Sequence, residues 1–275
     1  MNAMKQKNTR AHLEKIVTLA GLAVITVGCI ANLYSAYTNQ RFIHDPVDYI
    51  YYLRYIILLG GGFAVGYMLA RKKSTRYSRL FAGVFYAVLA MAIFWLLFPA
   101  RSGLQNLFGE PSYPWGKILF MGLPLLSIII VVIITYFSQN KSNSSGVSTL
   151  AKVAMISSFV VYEVYTLISG VYFLITGTST YSPNTSIWLI IVSYLVIPLV
   201  IAFISYLVLN NVKKRFDRLF FAALIGVLYS TFVSVLWEFR IDASEEATNI
   251  FSSIVIALAI LLTGILLWQA RKVVK

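Results

Sequence analysis

Among the ten acidic residues of this 275-residue chain, Glu163 is the one at the middle of a long apolar run, about 11 residues beyond Lys152 and 13 before the run ends at 176. An ionised carboxylate in hydrocarbon costs at least ~2.5 kcal/mol, so the acid is expected to be neutral or hydrogen-bonded within a helix bundle. No Lys, Arg or His falls at that depth in any apolar run, which favours a neutral acid over an ion pair. Tyr194, Tyr229, Ser230 and Thr231 fall at similar depth and are its expected partners. Such a group suits a proton or cation site; the alternative is a packed, hydrogen-bonded Glu. On the same run Ser158, Tyr162, Tyr165, Ser169 and Tyr172 recur at spacings of four, three, four and three, a polar-aromatic seam expected to face neighbouring helices.

A second set of charges lies near the ends of the apolar runs. Arg54 is about five residues inside one boundary, within snorkelling reach of the surface and of Glu110, and Lys117 opens the fourth run. Glu238 and Arg240 form another expected pair. His44, Asp45 and Asp48 look like metal ligands, but Asp45-Pro46-Val47-Asp48 has the pattern of a helix start: an N-cap, a proline in the first turn and an acid at the positive dipole end. Asp242-Ala-Ser-Glu245 likewise resembles a capping box. The two histidines, His12 and His44, are expected on opposite faces of a membrane, and the chain has no His-Glu-x-x-His, Gly-x-Ser-x-Gly or phosphate-binding loop. The single cysteine, Cys29, excludes an internal disulfide. These features predict a protein that is not an enzyme and uses no cofactor or metal.

The elements that must position these residues are membrane spans. The chain is 59% apolar and 12% charged, too rich in hydrocarbon for the surface of a soluble domain of this size. Eight windows, 16–37, 49–70, 80–98, 117–137, 153–176, 187–210, 219–238 and 249–269, are long enough to cross a ~30 Å hydrocarbon core as helices. Of the 23 Lys and Arg residues, 18 fall on the side holding both termini and five on the other, so both termini are expected in the cytoplasm of a protein of the cell membrane. The net charge of +13 is thus read as an orientation signal, not as a nucleic-acid surface. On the outer side, Ser102–Phe108 is expected to form a short interfacial turn, and Tyr113 and Trp115 to anchor at the headgroups.

The chain also repeats. Arg76-Tyr-Ser-Arg79-Leu80-Phe81 and Arg215-Phe-Asp-Arg218-Leu219-Phe220 align at an offset of 139, and the same offset superposes the first run on the fifth and the second on the sixth. The predicted architecture is all-α and polytopic, with eight transmembrane helices in two parallel four-helix repeats. Its parts are a cytoplasmic tail (1–15), a first unit (16–137), a cytoplasmic linker (138–152), a second unit (153–269) and a short tail (270–275). Each half, the first more clearly, resembles a small bacterial four-transmembrane-helix domain of unknown function. Leu53-Arg54, the basic start Arg76 and Arg79, and Gly109-Glu110 ahead of Lys117 carry the likeness. The chain has Gly60-Gly61-Gly62 where that family is expected to carry a late proline, and Ser193 at the place of Arg54. The resemblance implies a fold and a bacterial source but no activity. The expected role is transport-like handling of a small solute or proton at Glu163; the rival is a structural or assembly subunit of a membrane complex. The expected partners are membrane lipids and a membrane protein or second copy.

Overall fold

The computed structural model describes residues 2–38, 49–50, 52–70, 76–108, 115–139, 147–176, 196–210, 212, 214–239 and 245–274. These are almost entirely helical, in eight segments: α1 (Asn2–Thr38), α2 (Ile56–Leu69), α3 (Arg76–Phe108), α4 (Trp115–Gln139), α5 (Thr149–Thr176), α6 (Ile197–Val208), α7 (Arg215–Trp237) and α8 (Glu245–Val274). No strand occurs among the described residues. Five helices contain stretches long and apolar enough to cross a membrane: Ala11–Thr38, Arg76–Leu97, Thr149–Ile168, Arg215–Trp237 and Ile250–Gln269. The described apolar parts of α2, α4 and α6 are shorter.

Two helices form the centre. From Phe81 to Phe94 every residue of α3 is buried, and α7 is buried nearly continuously from Phe220 to Val235. A helix that is apolar around its whole circumference must be covered on all sides. The α3 and α7 helices touch each other through Phe81 against Phe221 and Phe85 against Phe220, with ring centroids 6.4 and 5.6 Å apart. Around them, α2 and α4 pack on α3 as α6 and α8 pack on α7, while α1 and α5 each touch both central helices.

Contacts along each pair fix direction. Lys15 lies over the Tyr77 ring and Gly21 meets Val84, so α1 and α3 run parallel. Lys152 meets Asp217 and Phe159 meets Gly226, so α5 and α7 do too. Gly62 meets Ala87 whereas Gly66 meets Ala82, which makes α2 antiparallel to α3. The α6 helix is antiparallel to α7, with Ala202 near Gly226 and Tyr206 beside Arg218.

The structure adds detail to three expectations about elements. Ser102–Phe108 is no separate turn: α3 continues through Pro99 and Arg101 to Phe108. Its apolar run gives way at Arg101, and a charge ends solubility in hydrocarbon without ending the backbone hydrogen-bond ladder. The segment 1–15, expected as a tail, is part of the first helix, which runs from Asn2. The second run is not one regular helix, since Ile56–Gly61 is π-helical before α-geometry resumes at Gly62. The proposed starts at Asp45 and Asp242 lie outside the described residues.

The glycines of α2 allow its close approach to α3. A Cβ on Gly66 would stand 2.5 Å from the Ala82 carbonyl oxygen, and one on Gly62 2.8 Å from the Ala87 Cα, whereas one on Gly60 meets nothing within 4 Å. Helix propensity alone would make each Gly→Ala change stabilising by roughly 0.5–1 kcal/mol. Packing reverses the sign at two of the three: Gly62→Ala and Gly66→Ala are expected to lower the thermal unfolding temperature in detergent, and Gly60→Ala to leave it unchanged or raise it. A uniform rise across the three would contradict the close α2–α3 contact.

Candidate functional site

Glu163 lies on the buried stripe of α5 formed by Lys152, Met155, Phe159, Glu163 and Thr166, at spacings of three, four, four and three. The outward stripe, Val160, Val164, Leu167 and Val171, is apolar and exposed. The register between α5 and α7 is set at two points, Lys152 with Asp217 and Phe159 with Gly226. One turn beyond the second point, Glu163 on α5 is level with Tyr229 and Ser230 on α7.

Glu163 is only 4% exposed, and neither of its carboxyl oxygens has a hydrogen-bond partner among the described residues. The buried Tyr229 hydroxyl has none either. Ser230 and Thr231 donate to the carbonyls one turn back, Gly226 at 3.2 Å and Val227 at 2.8 Å. Glu163, Tyr229, Ser230 and Thr231 are therefore brought to one level, and among the described residues they do not bond to one another. Tyr194 lies outside the described residues. Of the seam on α5, Ser158 is buried, and Tyr162 is half-buried and stacks on Trp95 of α3 with centroids 5.2 Å apart.

Ion pairs close both ends of α7. At its start Lys152 Nζ lies 2.6 Å from Asp217 Oδ1 and 5.2 Å from the centre of the Phe220 ring. At its end the Arg54 guanidinium bonds the Glu238 carboxylate and stands 5.0 Å over the Tyr55 ring, while the Tyr55 hydroxyl donates to the Ser234 carbonyl at 3.3 Å. Arg54 thus pairs across the two halves with Glu238. Glu110 and Arg240, the expected partners of these two residues, lie outside the described residues, as does the side chain of Lys117 near the start of α4. Lys152, counted from sequence as a loop charge, is buried in a pair. Both ion pairs depend on residues brought together over 65 and 184 positions, which no local spacing announces.

Sequence reasoning also missed Asn32. This fully buried residue of α1 accepts from the backbone N–H groups of Tyr55 and Ile56, at 3.0 and 3.1 Å, and donates to the Tyr52 carbonyl. Its amide stands in for the helical ladder where α2 changes to π-geometry, satisfying three backbone groups that would otherwise be buried without partners. An Asn inside an apolar run was the available signal. Among the described residues no three of His, Cys, Asp and Glu come together to hold a metal.

No family model, curated protein or solved structure matches the chain.

Replacing Asn32 tests the clasp. Asn32→Leu leaves one carbonyl and two N–H groups unpartnered, at about 1–3 kcal/mol for each buried group that stays dry. The variant is expected to lose about 2–4 kcal/mol of stability and to exchange the amide hydrogens of Tyr55 and Ile56 markedly faster. Unchanged exchange at those two amides would refute the clasp.

Proposed function

We propose that this chain is a multi-pass protein of the cell membrane, with eight transmembrane helices in two parallel four-helix repeats and both termini cytoplasmic, that moves protons or a small proton-coupled solute through Glu163. The eight helical segments, the alternation of direction and the bias of Lys and Arg toward one side support this topology. The repeat reading draws support from the packing. Exchanging α1–α4 with α5–α8 turns α2 on α3 into α6 on α7, α4 on α3 into α8 on α7, and α1 on α7 into α5 on α3, all of which occur. The related axis runs along the helices, near the membrane normal.

The observation that carries the functional reading is the pair of polar groups without a partner among the described residues, the Glu163 carboxyl and the Tyr229 hydroxyl, level with each other on adjacent parallel helices. Leaving such groups buried and unbonded costs about 1–3 kcal/mol each, so their retention needs a purpose other than stability. Nor does the architecture require them. At the repeat offset, Val24 occupies the position of Glu163 and Ala90 that of Tyr229, and both are buried on equivalent faces of the first half. The first half thus packs without a carboxyl or hydroxyl at these two positions. A neutral carboxyl buried in this way releases its proton only when water or a cation reaches it, the behaviour expected of an alternating proton site.

Glu163→Gln keeps the shape and removes the exchangeable acid. In proteoliposomes holding a pH-sensitive dye and driven by a valinomycin–potassium potential, the wild type is expected to take up protons, and Glu163→Gln, folded by size exclusion, to do so at least tenfold more slowly. Equal uptake by the two would end the proton-handling reading and leave the assembly-subunit alternative.

A further inference from the structure

The buried stripe of α5 leads from Lys152 past Met155 and Phe159 to Glu163, 11 residues or about 16 Å of helix. Two contacts close this line against α7. At its mouth Lys152 Nζ meets Asp217 Oδ1 at 2.6 Å, and midway the Phe159 ring seats on Gly226 so closely that a Cβ there would stand 2.8 Å from it. Ser230, one turn beyond Gly226, is level with Glu163 at the deep end of the line.

The mouth lies at the surface of the protein. Lys214 and Arg215, just ahead of Asp217, are exposed, and α5 begins at Thr149, three residues before Lys152. Lys152 and Asp217 are therefore buried by the meeting of their two helices and not by depth, and both charges would meet water if α5 and α7 parted there. Such a pair has two competing arrangements, bonded and dry or separated and hydrated, because the hydration lost on closing nearly offsets the bond gained. Nor does the scaffold need it. At the repeat offset Leu13 and Ser78 stand in the places of Lys152 and Asp217, and Ala20 and Ala87 in those of Phe159 and Gly226. The first half thus packs with no ion pair and no ring seated on a glycine at these positions. In the second half the ion pair, the seated ring and the carboxyl fall on one line between two helices.

We propose that the α5–α7 seam is the route by which Glu163 exchanges its proton with cytoplasmic water, and that the Lys152–Asp217 pair is the gate at its mouth. This rests on Glu163 being the group that handles the transported proton. With the pair formed, as here, Met155 and Phe159 cover the line. When the pair parts, the Phe159 ring leaves Gly226, the flexible Met155 yields with it, and water enters. The carboxyl O–H bond then breaks, the proton passes to that water, and the carboxylate left behind is hydrated; protonation from the same water reverses the step before the pair re-forms.

The test uses the full chain carrying Cys29→Ala and Ser230→Cys, with an impermeant cationic methanethiosulfonate applied to inside-out and right-side-out vesicles. Lys152→Glu and Asp217→Lys each set like charges at the mouth. Each is expected to raise labelling from the cytoplasmic face at least tenfold and not from the other face, and the exchanged pair, Lys152→Asp with Asp217→Lys, to restore slow labelling. If a like-charge variant fails to fold, Lys152→Gln with Asp217→Asn weakens the bond without stranding a charge and is expected to raise cytoplasmic labelling in the same way. Lys152→Leu with Asp217→Ser, the residues of the first half, is expected to hold the mouth shut and label more slowly than the parent chain. Labelling indifferent to these changes, or raised equally from both faces, would overturn the gate. Labelling reports access and not flux, so a gated response together with normal proton uptake by Glu163→Gln would keep the route and remove the proton role, whereas loss of uptake by Glu163→Gln without a gated response would do the opposite.

Discussion

Two helices that are apolar on every face impose the architecture. Neither α3 nor α7 can present a side to water, and each is covered over some four-fifths of its apolar stretch, far more than α1, α5 or α8, whose outward stripes are free to meet lipid. In the packing observed they lie together, with the six other described helices around them. The hydrophobic effect offers little to choose between protein and lipid as a neighbour within hydrocarbon, so close approach is governed by shape: glycines at Gly62, Gly66, Gly83 and Gly226, each receiving a neighbour within about 3 Å of where a Cβ would be.

The same constraint decides what polar groups can do inside the bundle. Many are absorbed locally: Thr18, Ser127, Thr135, Thr166, Ser205, Ser230, Thr231 and Thr263 donate to carbonyls four residues back on their own helices. Others are absorbed across helices, as Asn32 and the two ion pairs are. Glu163 and Tyr229 belong to neither group. The contrast with Val24 and Ala90 in the first half separates what the scaffold needs from what has been added to it.

The helical content and the apolar stretches were legible in the sequence, because each follows from hydrophobicity and continuous run length, whereas the periodic seam read at Ser158, Tyr162 and Tyr165 lies beside the buried stripe of Lys152, Met155, Phe159, Glu163 and Thr166. The level shared by Glu163, Tyr229 and Ser230 was legible too, since parallel helices with matching starts keep matching depths. Partner choice was not. Arg54 is closer in sequence to Glu110 but bonds Glu238, and Lys152 counts as a topological charge until α7 brings Asp217 to it. Composition fixes where a charge is costly, whereas only the tertiary packing says what relieves it. The end of α3 was misplaced because the limit of an apolar run and the limit of a helix are different physical events, and the role of Asn32 was hidden because the backbone break it serves lies on another helix.

The account stands on Glu163 being a neutral, exchangeable carboxyl in the lipid-embedded protein. Infrared difference spectra of proteoliposomes, wild type against Glu163→Gln, measure this directly. A carbonyl band of a protonated carboxyl is predicted, absent from the Gln variant, that shifts when the liposomes are moved into deuterium oxide because the site opens to water in turn. Absence of that band, or a band that resists deuterium exchange for days while surface amides exchange freely, would contradict it.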